Sequence, residues 1–479
     1  MTTVAQSYPH TRLGDELVEI PASARADMRV AARVYADQGL WEQMIRDRTL
    51  SQLINVATLP GVLDPVLAMP DAHEGYGFPV GGVAAFSAED GIISPGGVGY
   101  DINCGVRLLA SEVEAAALRD RIEPLVHELS RTVPSGAGRS GPVPLDGAGL
   151  DRVLGDGCHY LVERGLATDD DVDATEAGGR LPQADPGAVS PRAKQRGRPQ
   201  LGTLGSGNHF VEVQVVDEIF DDDAATALGL WPGQCTILIH TGSRGLGHQV
   251  CTDYVRQMDR VMPRYGIRLP DRELACAPFA SPEGKAYFGA MCAAANFAFA
   301  NRQAVTHAVR RTFERIVAGR SELRLVYDVT HNMAKLENHG GADLVVHRKG
   351  ATRAFGPSHP ETPPRYRAVG QPVLIPGSMG TASYVLAGTD AALSRSYGSC
   401  CHGAGRAMSR RAAKRLRPGH EVRQELADRG IVVRCPGNQE LAEEAPHAYK
   451  DVDRVVEVVH RAGLARKVAR LVPLGVIKG

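Results

Sequence analysis

The 479-residue chain is poor in lysine and aromatic residues and carries almost no net charge. Only 8 of its 54 basic residues are lysines, and none heads a K-x-D-G motif. A nucleotide activated covalently on the usual ligase lysine is therefore excluded. There is no GxxxxGK[ST] either, which removes the P-loop NTPases. Nine cysteines, an odd number, run from Cys104 to Cys435 without a CxxC pair. That excludes a zinc ribbon and a disulfide scaffold and predicts reduced thiols. A net charge of −1 means that the whole-molecule field does not draw in nucleic acid, so any phosphate contact must come from a local patch. No run is apolar enough to span a bilayer. The opening MTTVAQSYPHTRLGDELVEIP has no apolar signal-peptide core, so a cytoplasmic location with no membrane partner is expected.

Glycine, by contrast, is abundant: 53 residues, above the roughly 7% of an average protein. Tight turns and close approach of backbone to ligand are what glycine permits, which puts function on loops. With 43% hydrophobic residues the chain can bury a sizeable interior, and its length suggests one large body with insertions. We expect a single catalytic body over 1–479. Residues 1–60 form an N-terminal layer in this reading, and the polar stretch 166–200, with Pro and Gly and no hydrophobic period, is a long exposed insertion. LGTLGSGNHFVEVQVV, CTILIHTGSRG, LRLVYDVTHN and QPVLIPGSMG read as strands that stop at polar clusters. Residues 285–318 form an Ala-rich helix, and Val452, Val455, Val456 and Val459 share one helical face. The fold class is α/β (α+β): mixed sheets with surrounding helices, and an active site in Gly-rich loops at strand ends.

Two constellations carry chemistry. DINCGVR sets Asp101 and Cys104 three residues apart in a turn, and His209, His240 and His331 each close a strand-like run. Carboxylate, thiolate and imidazole are the ligands of a transition metal, and on general grounds of zinc first. In SCCHGAGRAMSRRAAKRL, His402 sits among small residues, and a helix is expected directly after it with Arg406, Arg410 and Lys414 at i, i+4, i+8 on one face. A helix N-terminus with aligned cations is an anion site, and with no ligase lysine His402 becomes the candidate nucleophile. The Gly/Ser loops 376–383 and 240–249 can offer N–H groups to phosphate. For His209 and Glu212 to serve one site the backbone at 207–209 must turn, which Gly205 and Gly207 allow.

Taken together, DINCGVR, GSGNHFVEV, HTGSRGLGHQ, VTHNMAK, HRKGATRA, PGSMG, CHGAGR and the final GVIKG resemble the RtcB RNA ligases, in family order from about residue 69 onward. The resemblance implies two Mn2+ ions: Asp101, Cys104 and His209 holding one, and Cys104, His240 and His331 the other. It implies GTP as the second cofactor, held by Asn208, His209, Phe210, Val211, Glu212, His331, Asn332, Pro376, Gly377, Ser378, Met379, Ser383, His402, Gly403, Ala404, Gly405, Tyr449 and Lys478. Arg244, Arg406 and Arg410 would grip RNA or pyrophosphate oxygens, and Asp71 is a further acidic site residue. The implied reaction joins an RNA 3′-phosphate or 2′,3′-cyclic phosphate end to a 5′-hydroxyl through a GMP-histidine at His402. The substrates would be tRNA halves or damaged RNA, with an archease-type activator as a candidate partner. Two other readings stand beside it: a dinuclear metal phosphohydrolase, which needs the same metal ligands but neither His402 nor a guanine pocket, and a non-catalytic RNA-binding paralogue that keeps the fold without the chemistry.

Overall fold

The computed structural model describes residues 8–136, 138–317 and 322–479. Two large sheets make the body. A seven-stranded sheet runs in the order Thr11–Gly14, Leu17–Ile20, Ala32–Tyr35, Val66–His73, Val80–Ser87, Ala342–Lys349, Asn332–His339. The N-terminal strands join it through a parallel pairing of Ala32 with Val66. The second sheet runs Arg324–Thr330, Gly105–Glu114, Gln234–Thr241, Phe210–Ile219, Ala465–Lys478, Ser383–Gly388, Pro372–Ile375, with Val432–Arg434 added beside Ala465–Lys478.

The register of the second sheet gathers the chemistry at one end. Antiparallel pairing sets Gly105 opposite both Thr330 and Thr241. It sets Phe210 opposite both His240 and Lys478. The starts of two strands and the ends of three others therefore share one edge, and the loops beyond them carry Asp101, Cys104, His209 and His331. His331 is also the link between sheets, since Asn332 opens the edge strand of the seven-stranded sheet.

Behind that edge runs the helix Pro282–Val317, 36 residues long and buried along most of its length. Its alanines let the sheets and neighbouring helices approach closely. Its buried polar side chains are then spent on loop backbone. Asn301 accepts from Gly202 N and Thr203 N and donates to Thr203 O and Gly242 O. Arg302 donates to Asn103 O and Thr241 O. The amphipathic helix Val452–Arg461 buries the expected valines. Among the described residues, no helix is long and apolar enough to cross a membrane.

Residues 166–200 correct the expectation of an exposed insertion. The segment folds into the short helices Asp169–Asp173 and Pro191–Gly197 and several turns, and it buries Val172, Ala174, Leu181, Val189 and Ala193. Two of its acids, Asp171 and Glu176, are buried too. Asp171 takes two hydrogen bonds from Arg310 at 2.7 and 2.6 Å. Glu176 accepts from Thr330 N at 2.9 Å and pairs with Lys335. Polar composition suggested solvent because a carboxylate is normally exposed; here ion pairs formed with distant parts of the chain satisfy it.

Candidate active site

The Asp101–Cys104 turn is closed by Cys104 N donating to Asp101 O at 3.0 Å, with Asn103 in the left-handed region at φ 53°. From it the Cys104 Sγ reaches the middle of the cluster, 3.3 Å from His209 Nε2 and 3.2 Å from His240 Nε2. His240 Nε2 lies 3.3 Å from His331 Nε2, and Asp101 Oδ2 lies 2.9 Å from His209 Nε2. Cys104, His209 and His240 by themselves form a group that could hold one ion. Asp101 and His331 extend that group at either side, through His209 and His240 respectively.

Their electrostatics suit a dication. Burial, helped by neighbouring imidazoles, holds His240 and His331 well below the ordinary histidine value, so both present a neutral ring. Burial pushes the Cys104 thiol well up, reinforced by Asp101; a metal would displace its proton. Burial also works to raise Asp101, but the hydrogen bond and charge of His209 outweigh it and keep the carboxylate ionised. His209 Nδ1 is held by Leu204 O at 2.9 Å, which leaves Nε2 for an ion. The residues present therefore fit a transition-metal centre.

His402 follows the short strand Ser399–Cys401, which pairs with Ala351–Arg353. Asp71 Oδ2 lies 2.5 Å from His402 Nδ1 and also accepts from His402 N at 3.0 Å and Gly403 N at 3.3 Å. Burial would raise the Asp71 carboxyl, yet the charge and hydrogen bonds of His402, with Lys450 behind, hold it below its usual range. An ionised carboxylate can only accept, so Nδ1 carries a proton, and in the neutral ring the lone pair lies on Nε2. The His331 and His402 ring centroids are 4.9 Å apart, which sets that nitrogen beside the metal cluster. Gly405 is required here: its φ is 72°, and a Cβ would lie 2.1 Å from Asp71 O.

A cavity of about 360 Å³ opens over His402 and the cluster. Of the residues expected around a nucleotide, Asn208, Phe210, Glu212, His331, Asn332, Pro376, Gly377, Ser378, Met379, His402, Gly403, Ala404, Gly405, Tyr449 and Lys478 line it. Three do not. The side chain of Val211 points into the core beneath the sheet. Ser383 lies behind the wall, its hydroxyl accepting from Gly377 N and Gln214 Nε2. His209 faces a second cavity, of about 810 Å³, which shares Asp101, Asn208, Arg410 and Glu444 with the first. The backbone turn needed near 207 is present: Gly205 and Gly207 have φ of 93° and 81°, and the strand starts only at Phe210.

The cationic helix is a correction. It spans Arg410–Leu416 with Ser409 as its N-cap, so Arg406 is not on it and His402 does not head it. Nor are the cations unpaired. Arg406 and Arg410 meet Glu444 at 3.3 and 2.9 Å, and Lys414 meets Glu443 at 2.6 Å. The Ser-x-x-Ala cap at Ser409, with its side chain accepting from Ala412 N, fixed the helix start later than basic periodicity suggested. Arg244 lies over His209 Nδ1 at 3.1 Å and lines the second cavity together with Arg410, whereas Arg406 lines only the first.

Sequence reasoning missed Glu444, which pairs with both arginines and with the Tyr449 hydroxyl and is held at about 2, these partners and Lys478 outweighing its burial. The acidic pair just before Tyr449 in a basic region was its only signal. It also missed Lys349, His73, Glu74 and Tyr100 of the cavity wall; Lys349 lies in HRKGATRA and Tyr100 directly before DINCGVR, but neither stretch marks them as wall residues.

The family profile described as tRNA-splicing ligase RtcB matches residues 52–479. A "tRNA-splicing ligase RtcB" from Thermococcus kodakarensis is 56% identical over 481 residues, covering 99% of this chain and 100% of the relative. Another of that name from Archaeoglobus fulgidus is 52% identical, covering 98% of each chain. An "RNA-splicing ligase RtcB" from Mycobacterium tuberculosis is 53% identical over 435 residues, 89% of this chain and 100% of the relative. A buried cysteine–histidine–carboxylate cluster that could hold a metal lies beside the oriented His402 on this two-sheet body. Matched over nearly its full length, the chain belongs to the RtcB family.

Proposed function

We propose that this protein is a GTP- and Mn2+-dependent RNA ligase that joins 3′-phosphate or 2′,3′-cyclic phosphate ends to 5′-hydroxyl ends through a GMP-histidine. The observation that carries the reading is the Asp71–His402 pair, since a carboxylate fixed on Nδ1 makes a nucleophile of Nε2; a hydrolase would use the same pair as a general base, and a covalent nucleotide on His402 separates the two. Asp101, Cys104, His209, His240 and His331 would hold the metals, which supply charge neutralisation at phosphate oxygens when bound. The Mn2+ identity rests on family resemblance, because the donor set by itself favours zinc.

His402 Nε2 attacks the α-phosphorus of GTP; the N–P bond forms, the bond to the bridging oxygen breaks, and pyrophosphate leaves. The 3′-phosphate oxygen of RNA, after hydrolysis where the end is cyclic, then displaces the histidine and takes GMP. Last, the 5′-hydroxyl attacks the activated 3′-phosphate and releases GMP. Asp71 holds the imidazole in one tautomer and stabilises the positive charge the ring gains when Nε2 bonds phosphorus and loses again as GMP departs.

Glu212 supports guanine over adenine. It is buried in the cavity wall, and desolvation raises it to about 8 against the weaker opposing effects of Gln214 and Lys478. Guanine offers two adjacent N–H donors that would satisfy such a carboxylate, and adenine does not. The second cavity, with Arg139, Arg196, Arg244 and Arg410 on its wall, suits an RNA backbone. Incubation with α-labelled GTP and Mn2+ tests the reading: acid-labile label on His402 is expected, and label on a lysine or no label overturns it. An archease-type activator is proposed on the resemblance alone and is tested by its effect on turnover.

A further inference from the structure

Tyr76, Tyr100 and His248 lie outside both the metal cluster and the nucleotide wall's polar groups, yet they form a continuous aromatic group at the mouth of the site. The Tyr100 and His248 rings are stacked, 5.6 Å between centroids at 26°. Tyr76 meets Tyr100 edge-on at 5.4 Å. Buried aromatic trios are ordinary core packing, but here both tyrosines are partly exposed and His248 is exposed. The group is also held rigidly. The buried Lys349 amine donates to Tyr76 O, to Phe78 O at 3.1 Å and to Gly96 O at 3.2 Å, tying together the two loops that carry the tyrosines. Gly77 N donates to Glu273 Oε2 at 2.9 Å on the far side. A solvent-facing ring stack fixed by a buried cation is a preorganised surface for another flat ring.

Its position says which ring. Tyr100 lines the cavity over His402, His248 lines the second cavity, and Asp101, the neighbour of Tyr100 in sequence, lines both. We propose that this shelf stacks the 3′-terminal nucleobase of the RNA strand whose phosphate receives GMP. The inference rests on the ligase reading: the 3′-phosphate must reach His402, so the nucleoside bearing it lies at this mouth. Stacking accepts any base because every base has a π-face. It therefore gives a grip on RNA ends of unrelated sequence that the arginines of the second cavity, which see only charge, do not.

The test uses the full-length protein with Mn2+ and GTP and RNA carrying 2-aminopurine at the 3′-terminal nucleotide. Wild type should quench that fluorophore on binding, and His248→Ala and Tyr100→Ala should not, while Tyr100→Phe keeps the quench. An abasic 3′-terminal nucleotide should raise KM about tenfold in wild type with kcat little changed. That penalty should vanish in the Tyr100→Ala, His248→Ala double variant. If wild type ligates but leaves 3′-terminal 2-aminopurine bright, or quenches only a 5′-terminal probe, the shelf assignment is wrong. If wild type takes up no GMP and binds no RNA, the ligase reading has failed instead. His248 is exposed, so loss of folding does not obscure its variant.

Discussion

Asp71 and Glu212 are both buried acids within the same site, and their surroundings push them in opposite directions. Asp71 faces the His402 ring and the Lys450 amine and stays ionised. Asp71→Asn should therefore keep the side-chain volume, leave the imidazole in the wrong tautomer, and slow GMP-histidine formation about 10²- to 10⁴-fold. Metal content measured by elemental analysis should be unchanged; a variant that labels at the wild-type rate would remove Asp71 from the mechanism. Glu212 rises from 4.5 to about 8 because burial strips it of water. Between those values the native protein holds a proton that the unfolded chain releases. The contribution is therefore complete below about 4.5 and is lost as pH climbs through about 8. Relative to Glu212→Gln, wild type should lose thermal stability between about pH 4.5 and about pH 8, followed by calorimetry in the absence of nucleotide. The same variant should narrow the preference for GTP over ATP in the labelling assay.

At the scale of elements, the long helix and the last strand hold the site from opposite sides. Arg302, on Pro282–Val317, shares the Asp328 carboxylate with Arg107 and donates to backbone on both sides of the metal cluster. Arg302→Met should leave Asp328 half-paired in a dry interior, costing about 3–5 kcal/mol, and should loosen the turns bearing Cys104 and His240. Denaturant melts and metal stoichiometry report the two effects separately, and full stability with full metal content would refute the assignment. The strand Ala465–Lys478 runs through the middle of the second sheet and delivers the Lys478 amine to the cavity, 5.4 Å from the centre of the Phe210 ring. Gly479 N then donates to His209 O at 3.2 Å. Removing the last two residues should weaken GTP binding far more than it lowers Tm, because the strand itself remains paired. Equal GTP affinity, measured by titration, would take Lys478 out of the site.

For the whole molecule, a net charge of −1 predicts that RNA affinity comes from a local patch and not from a long-range field. Four arginines line the second cavity. At about −0.7 per neutralised phosphate in a single strand, the slope of log affinity against log salt should be no steeper than about −3. Arg196→Ala should flatten it by about 0.7. A much steeper slope in a salt titration would mean that RNA tracks over a surface well beyond this cavity.

Asp101, Cys104, the three strand-end histidines and His402 stood out in the sequence because their chemistry is intrinsic to residue type, and the structure brings them to one edge. The strands, the Ala-rich helix and the valine face of 452–459 were legible for the same local reason, since hydrophobic period depends only on neighbours in the chain. What the sequence could not fix was pairing between distant residues. The polar composition of 166–200 concealed Asp171 and Glu176 as buried ion-pair partners, since Arg310, Lys335 and Thr330 lie more than a hundred residues further along. Periodicity drew Arg406, Arg410 and Lys414 into one free cationic helix; the cap at Ser409 and the carboxylates of Glu443 and Glu444 made them a neutralised wall. Residue types set which chemistry was possible, while the register of the second sheet, a property of many weak contacts at once, decided that Cys104, three histidines and Lys478 would meet at one edge.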